Sequence, residues 1–173
     1  MAPEIRLRTC EPTEVDGRVV YRWRTDPLTQ EMFFTRLTAS WEKFFPVWRD
    51  GYFSDATLPP VFALDPTGRP AAILSFQRVP PKEGFDKCAE ISINVAPEAR
   101  GKGLATKALE MVGDYLEGCD LQAVFAVVKK SNPASCAAFQ RAGFSFVDDY
   151  EHTDEHTNER IPVNCYCLRL GTV

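Results

Sequence analysis

Residues suited to holding a metal are scarce in this chain. Histidine occurs twice, at His152 and His156. That spacing serves a metal only on a helix, and the polar stretch from Asp148 to Arg160 reads as a turn, so no metal is expected. The six cysteines include no C-x-x-C pair, which argues against the common zinc and redox spacings. Their apolar neighbours, as in Cys136-Ala137-Ala138, make them read as small reduced core residues. No apolar run approaches the length of a membrane span, and the opening MAPEIRLRT has no apolar h-region, so the expectation is no membrane and a cytoplasmic location. Basic excess is also lacking. With 20 Lys and Arg against 24 Asp and Glu, the net charge of −4 argues against a nucleic-acid partner, which needs a basic face. Repeats and low-complexity segments are absent. A chain of 173 residues with 45% hydrophobic content has material for one core, so residues 1–173 are expected to form a single domain.

What is present centres on the stretch from Cys88 to Glu117. Ala89, Ile91, Ile93 and Val95 alternate with Glu90, Ser92 and Asn94, the period of a half-buried strand, which should end at Pro97. Further on, Ala105, Ala108, Leu109, Val112 and Leu116 recur at helical spacing, and Gly118 should close that helix. Between them, Arg100-Gly101-Lys102-Gly103-Leu104-Ala105 is a basic glycine turn running into a helix. Such a turn can gather backbone N–H groups around an anion such as a phosphate. It matches neither the GxxxxGK[ST] nor the GxGxxG fingerprint, so neither ATP nor a dinucleotide follows from it.

This arrangement resembles motif A of the GNAT acetyltransferase superfamily, an R/Q-x-x-G-x-G/A turn after a strand ending in V-x-P. Arg100, Gly103 and Ala105 stand at its defining positions. A second stretch, Asn132-Pro133-Ala134-Ser135-Cys136-Ala137-Ala138-Phe139-Gln140-Arg141-Ala142-Gly143-Phe144, resembles the family's N-x-x-S-x-x-x-(Y/F)-x-x-x-G-F segment. Trp23-Arg24-Thr25-Asp26-Pro27 resembles the entry seen in branches that acetylate amino sugars or ribosomal-protein N-termini. The resemblance covers roughly the second half of the chain best. It implies an α/β (α+β) GNAT fold: a mixed, mostly antiparallel central sheet, helices on both faces, and a splayed central strand pair.

The remaining elements are read from local pattern. A strand is expected over Ile5 to Thr9 and a helix from Glu11-Pro12-Thr13 to about Arg24, with Val15, Val19, Val20 and Trp23 inward. That helix should stop near Asp26-Pro27. A second helix is expected from Trp41 to about Asp50 after Ser40 as N-cap. Phe33, Phe34, Trp41, Phe44, Phe45, Trp48, Tyr52 and Phe53 make an aromatic cluster read mainly as core, with one or two rings free to face a substrate. A hairpin is expected over Val61 to Leu64 and Ala71 to Arg78. A buried strand from Leu121 to Val128 follows the glycine-turn helix. Then come a short helix capped by Asn132 with Pro133 in its first turn, and strands Phe144 to Tyr150 and Ile161 to Leu170.

The family likeness implies acetyl-CoA as co-substrate. Its pyrophosphate would rest on the turn from Gly101 through Lys102, Gly103, Leu104 and Ala105, with Arg100 nearby. Its pantetheine arm would pair with backbone near Val95 and with Asn132. Ser135 would lie near the thiolate, and Phe139 stands where the family often has a proton-donating tyrosine. For the acceptor amine a base is needed. The resemblance makes Glu90 the first candidate, with Asp26, Asp148, Asp149 and Glu151 as weaker ones; Tyr150 and Cys136 are candidate acids, with water or unassisted departure of the thiolate as the alternatives. The leading reading is acetyl transfer to a primary amine of a small molecule, such as a nucleotide-linked amino sugar. The alternatives are a protein N-terminus as acceptor, or a non-catalytic acyl-CoA-binding module. Relatives of this kind often pair, so a homodimer is allowed.

Overall fold

The computed structural model describes residues 4–171. Its strands are β1 (Arg6–Thr9), β2 (Val61–Leu64), β3 (Pro70–Val79), β4 (Cys88–Val95), β5 (Ala123–Lys129), β6 (Ser145–Thr153) and β7 (Arg160–Arg169). They hydrogen-bond in the order β1-β2-β3-β4-β5-β7-β6. The pairs β1–β2, β2–β3, β5–β7 and β6–β7 are antiparallel, and β4–β5 is parallel. The expected mixed, mostly antiparallel sheet is therefore present. The splay is visible in the register: β4 and β5 pair only from Cys88↔Ala123 to Glu90↔Phe125, although β5 runs on to Lys129.

The residues group into two compact units. One comprises residues up to Phe76 together with Ser92–Leu104, and the other comprises Gln77–Ile91 and residues from Ala105 onward. In the first, helix α1 (Glu14–Arg24) starts at Thr13, whose side chain accepts from the Asp16 N–H. Its inward side is Val20 and Trp23, both fully buried, whereas Val15, expected inward, is 76% exposed. Asp26-Pro27 ends α1 as expected but also opens α2 (Pro27–Met32). The Asp26 carboxylate caps the Thr29 N–H and Pro27 sits in the first turn, where its missing N–H costs nothing.

Helix α3 (Trp41–Pro46) is followed by a turn of π-helix over Val47–Gly51, in place of the uninterrupted helix expected. Pro46 has no N–H to continue the ladder, so the backbone widens after it. That widened turn carries the buried Trp48, whose Nε1 donates to the Thr13 carbonyl at 3.1 Å. The aromatic cluster is core as expected. Trp23, Phe44, Trp48 and Phe62 are buried together, with Trp41, Phe45 and Phe53 packed against them. Large rings bury much apolar area, and their tilted and edge-on pairings add to that.

In the second unit the helix expected to run on to Gly118 is divided into α4 (Leu104–Glu110) and α5 (Val112–Tyr115). The division falls at Met111, and the short second piece carries Gly113, a poor helix former. Leu109, Val112 and Leu116 are buried as the periodicity implied. Strand β5 is almost wholly buried, and α6 (Pro133–Arg141) carries Phe139 inward. The polar stretch around the histidines is partly strand: His152 lies in β6, paired with Ile161. All six cysteines are free thiols, with Cys10, Cys88, Cys165 and Cys167 buried.

Candidate functional site

The glycine turn has the conformation its sequence implies. Gly101 and Gly103 lie at φ +73° and +72°, a region that L side chains rarely adopt, and a Cβ added at either would meet nothing within 4 Å. The turn is thus a backbone-lined, open surface. The first N–H groups of α4, from Leu104 and Ala105 onward, have no partner inside the helix. Lys102 is exposed, its Nζ resting on the Glu98 carbonyl at 2.9 Å. These features suit a phosphate.

Arg100 is differently disposed from a mobile phosphate ligand. Its Nη2 donates to Asp26 Oδ2 at 2.7 Å and to Thr29 Oγ1 at 2.6 Å. This pairing holds the Asp26 carboxyl below its ordinary range, with the Arg100 hydrogen bond as the largest cause. Thr29, fully buried, passes its own proton on to Asn94 Oδ1 at 3.3 Å. Asp26, weighed above as a base, is therefore the anchor of an arginine. The link joins the glycine turn to the start of α2.

The relay ends at a cavity of about 140 Å³ in the same unit. Arg24, Phe33, Tyr52, Ser75, Ser92 and Asn94 are among the residues around it. The Arg24 guanidinium stacks 4.3 Å from the Phe33 ring centroid, with Nη1 donating to the Tyr52 hydroxyl at 3.3 Å and Nη2 to the Thr35 carbonyl at 2.9 Å. Asn94 is 5% exposed, and its Nδ2 has no hydrogen-bond partner among the described residues. Phe33 and Tyr52 are the rings of the aromatic cluster that line the cavity, among the described residues. Nothing local in the sequence marks this cavity, because its residues come from five separate segments.

Glu90 lies in the second unit, two residues before Ser92 on β4. It is half-buried, and burial pushes its carboxyl above the ordinary range, partly offset by the charges of Lys82 and His152. Lys82 stands over the Phe125 ring, with Nζ 3.4 Å from Cys165 Sγ. Burial opposes the lysine's charge, but Cys165, Tyr150 and Glu90 outweigh it and the net shift is upward. The Tyr150 phenol is raised, first by burial, with Lys82 opposing. Glu90 and Tyr150 thus both feel the charge of Lys82, a residue that sequence reasoning missed. Asp149 pairs with Lys130, and Glu151 with Arg160. Asp148 is exposed and accepts from the Asp149 N–H at 2.8 Å.

In α6, Asn132 Oδ1 accepts from the Ser135 N–H at 3.2 Å, the expected cap. Val95 is the last residue of β4. Phe139 is 2% exposed, 5.0 Å from Phe144 and stacked on Tyr166 at 6.3 Å, so its ring serves packing. Tyr166 brings a hydroxyl to this stack, bonded by Asn164 Nδ2 at 3.3 Å and pushed up to about 12, mainly by burial.

Comparison with known proteins agrees with this fold. Residues 4–145 match the family model of the acetyltransferase (GNAT) domain. The sequence is 31% identical to an N-acetyltransferase of Streptomyces griseus over 91 residues, 53% of this chain and 47% of the relative. It is 34% identical to spermidine N(1)-acetyltransferase of Escherichia coli strain K12 over 65 residues, 37% of this chain and 35% of the relative. The chain thus spans about half the length of the first relative and about a third of the second. Spermidine N-acetyltransferase from Vibrio cholerae, solved with CoA and spermine, shares the fold at TM-score 0.77 and 16% identity, with 95% of each chain covered. Matched over most of its length by that family model, the chain belongs to the GNAT acetyltransferase family.

Proposed function

We propose that this protein is an acetyl-CoA-dependent N-acetyltransferase acting on a primary amine of a small molecule. The observation that carries the reading is the open cradle at Gly101 and Gly103, where two left-handed glycines leave the backbone bare beside an exposed lysine. Lys102, Gly103, Leu104 and Ala105 would hold the pyrophosphate. Arg100 would act through Asp26 and Thr29, fixing the turn rather than reaching the phosphate. Val95 would offer backbone groups to the pantetheine arm. Asn132, its Oδ1 taken by the Ser135 N–H, would offer Nδ2, and the Ser135 hydroxyl would lie near the thiolate. Phe139 would shape this region through packing.

Acetyl-CoA supplies the acyl group as an activated thioester. Glu90 takes the proton of the acceptor ammonium, a role for which its raised basicity suits it. Tyr150 keeps its proton at neutral pH and is the donor on hand beside Lys82. The relatives named for spermidine favour a small-molecule acceptor over a protein N-terminus. The narrower reading of a nucleotide-linked amino sugar, drawn from the Trp23 to Pro27 entry, is not echoed in the names of the relatives above.

The test follows free thiol released from acetyl-CoA in the presence of amino acids, polyamines, amino-sugar nucleotides and peptide N-termini. The half-exposed Cys119 and Cys136 set the reagent's baseline. Amine-dependent thiol release is expected. Acetyl-CoA binding without it on any panel would make the protein a non-catalytic binding module.

A further inference from the structure

We propose that the cavity beside Arg24 binds a carboxylate on the acceptor, so that the substrate is an amine bearing an acid group rather than a polyamine. This inference deepens the transferase reading and rests on it. Each polar side chain at the cavity can offer a donor, and Arg24 can do nothing else. Arg24 has five N–H groups and shows two hydrogen bonds, to Tyr52 and Thr35, leaving donors in a planar fork that matches a carboxylate. Asn94 adds an amide donor that is buried and unpartnered, a cost usually met by a ligand or water.

The orientation of that amide is fixed from outside the cavity. Arg100 only donates, so Thr29 Oγ1 accepts from it and must give its own proton to Asn94 Oδ1. Nδ2 is then the side of Asn94 left over. The hydroxyls of Tyr52, Ser75 and Ser92 can donate as well, and among the described residues no carboxylate side chain lines the cavity. A polyamine nitrogen would meet a guanidinium there, with no acid to neutralise it. The volume, about 140 Å³, approximates the roughly 150 Å³ that accommodates a benzene-sized guest, enough for a carboxylate on a short chain. On β4, Ser92 and Asn94 follow Glu90 at the two-residue repeat that shares a strand face.

The experiment compares kcat/KM for glycine, β-alanine, 4-aminobutanoate and α-amino acids with their carboxamides, and with spermidine. Isothermal titration of the N-acetylated acids and amides is run in parallel. For the best chain length, the acid should exceed its amide by about 10- to 100-fold, the range of a charge-assisted pair. The ratio should fall towards one in Arg24→Gln, chiefly through KM, and recover in part in Arg24→Lys. Ser92→Asp, at an exposed position that spares the core, should lower it by adding like charge. Equal or better use of amides or spermidine by the unaltered protein would overturn the carboxylate site and leave the transferase standing. Equal binding of N-acetylated acids and amides would overturn it even without turnover. Acetyl-CoA binding with no amine acetylated would overturn the transferase reading itself.

Discussion

Replacing Gly103 by Ala separates the cost of bending the turn from the loss of its ligand. The glycine sits at φ +72°, where an L residue costs about 1–2 kcal/mol. For a chain of this length each kcal/mol lowers Tm by roughly 2–4 °C. The variant should therefore melt about 2–8 °C lower but stay folded, because the added Cβ meets nothing within 4 Å. Affinity for acetyl-CoA should suffer more. If the methyl holds the pyrophosphate away from about two backbone N–H groups, each worth roughly 1.5–3 kcal/mol to a charged partner, Kd should rise about 100- to 20,000-fold. The assay titrates acetyl-CoA and acetyl-pantetheine, which lacks the pyrophosphate, into both proteins. The preference for acetyl-CoA should shrink in the variant while acetyl-pantetheine affinity stays near its starting value. A folded variant with unchanged acetyl-CoA affinity would refute the assignment of the turn.

Glu90→Gln should lower kcat and remove the acidic limb of the pH–rate profile, which in the unaltered protein should lie above the ordinary glutamate range. Because Glu90 is raised in the folded state, its charge opposes folding at neutral pH and the cost disappears as pH falls through the raised value. The same variant should therefore melt higher than the parent at pH 8, with the difference shrinking at acid pH. Thr29→Val should cost about 1–3 kcal/mol in denaturant unfolding, since it leaves Asn94 and part of the Arg100 fork unpaired in a buried place. It should also raise KM for the acceptor by letting the Asn94 amide turn. Gly17→Ala should destabilise by about 1–3 kcal/mol, because its Cβ would stand 2.6 Å from Trp48 Cδ1 in the core.

The sequence was most legible where structure is set by near neighbours. Asn132 and Pro133 specified a helix start, period two specified β4, and the glycines of the basic turn specified their own backbone. Asp26-Pro27 was half legible, since the dipeptide that ends one helix is also a capped start for the next. Long-range pairings had no local signature. Arg100 looked like a free cation beside a turn, and only folding brings it to Asp26 and Thr29. Glu90 fell on the polar side of an alternating strand, yet the charges of Lys82, from the preceding loop, and His152, from β6, act on it, and Glu90 in turn acts on Tyr150. The cavity was not legible at all, because helix, loop, π-turn and two strands each contribute one or two residues to it.

The central claim is direct transfer of acetyl from CoA to an amine. Protein mixed with isotopically labelled acetyl-CoA and the best amine of the panel, then resolved by intact-mass and product mass spectrometry, tests it most directly. The account predicts one label on the amine nitrogen for each thiol released and none on the protein. Label retained on a cysteine such as Cys136, or released only as acetate whatever amine is present, would contradict it.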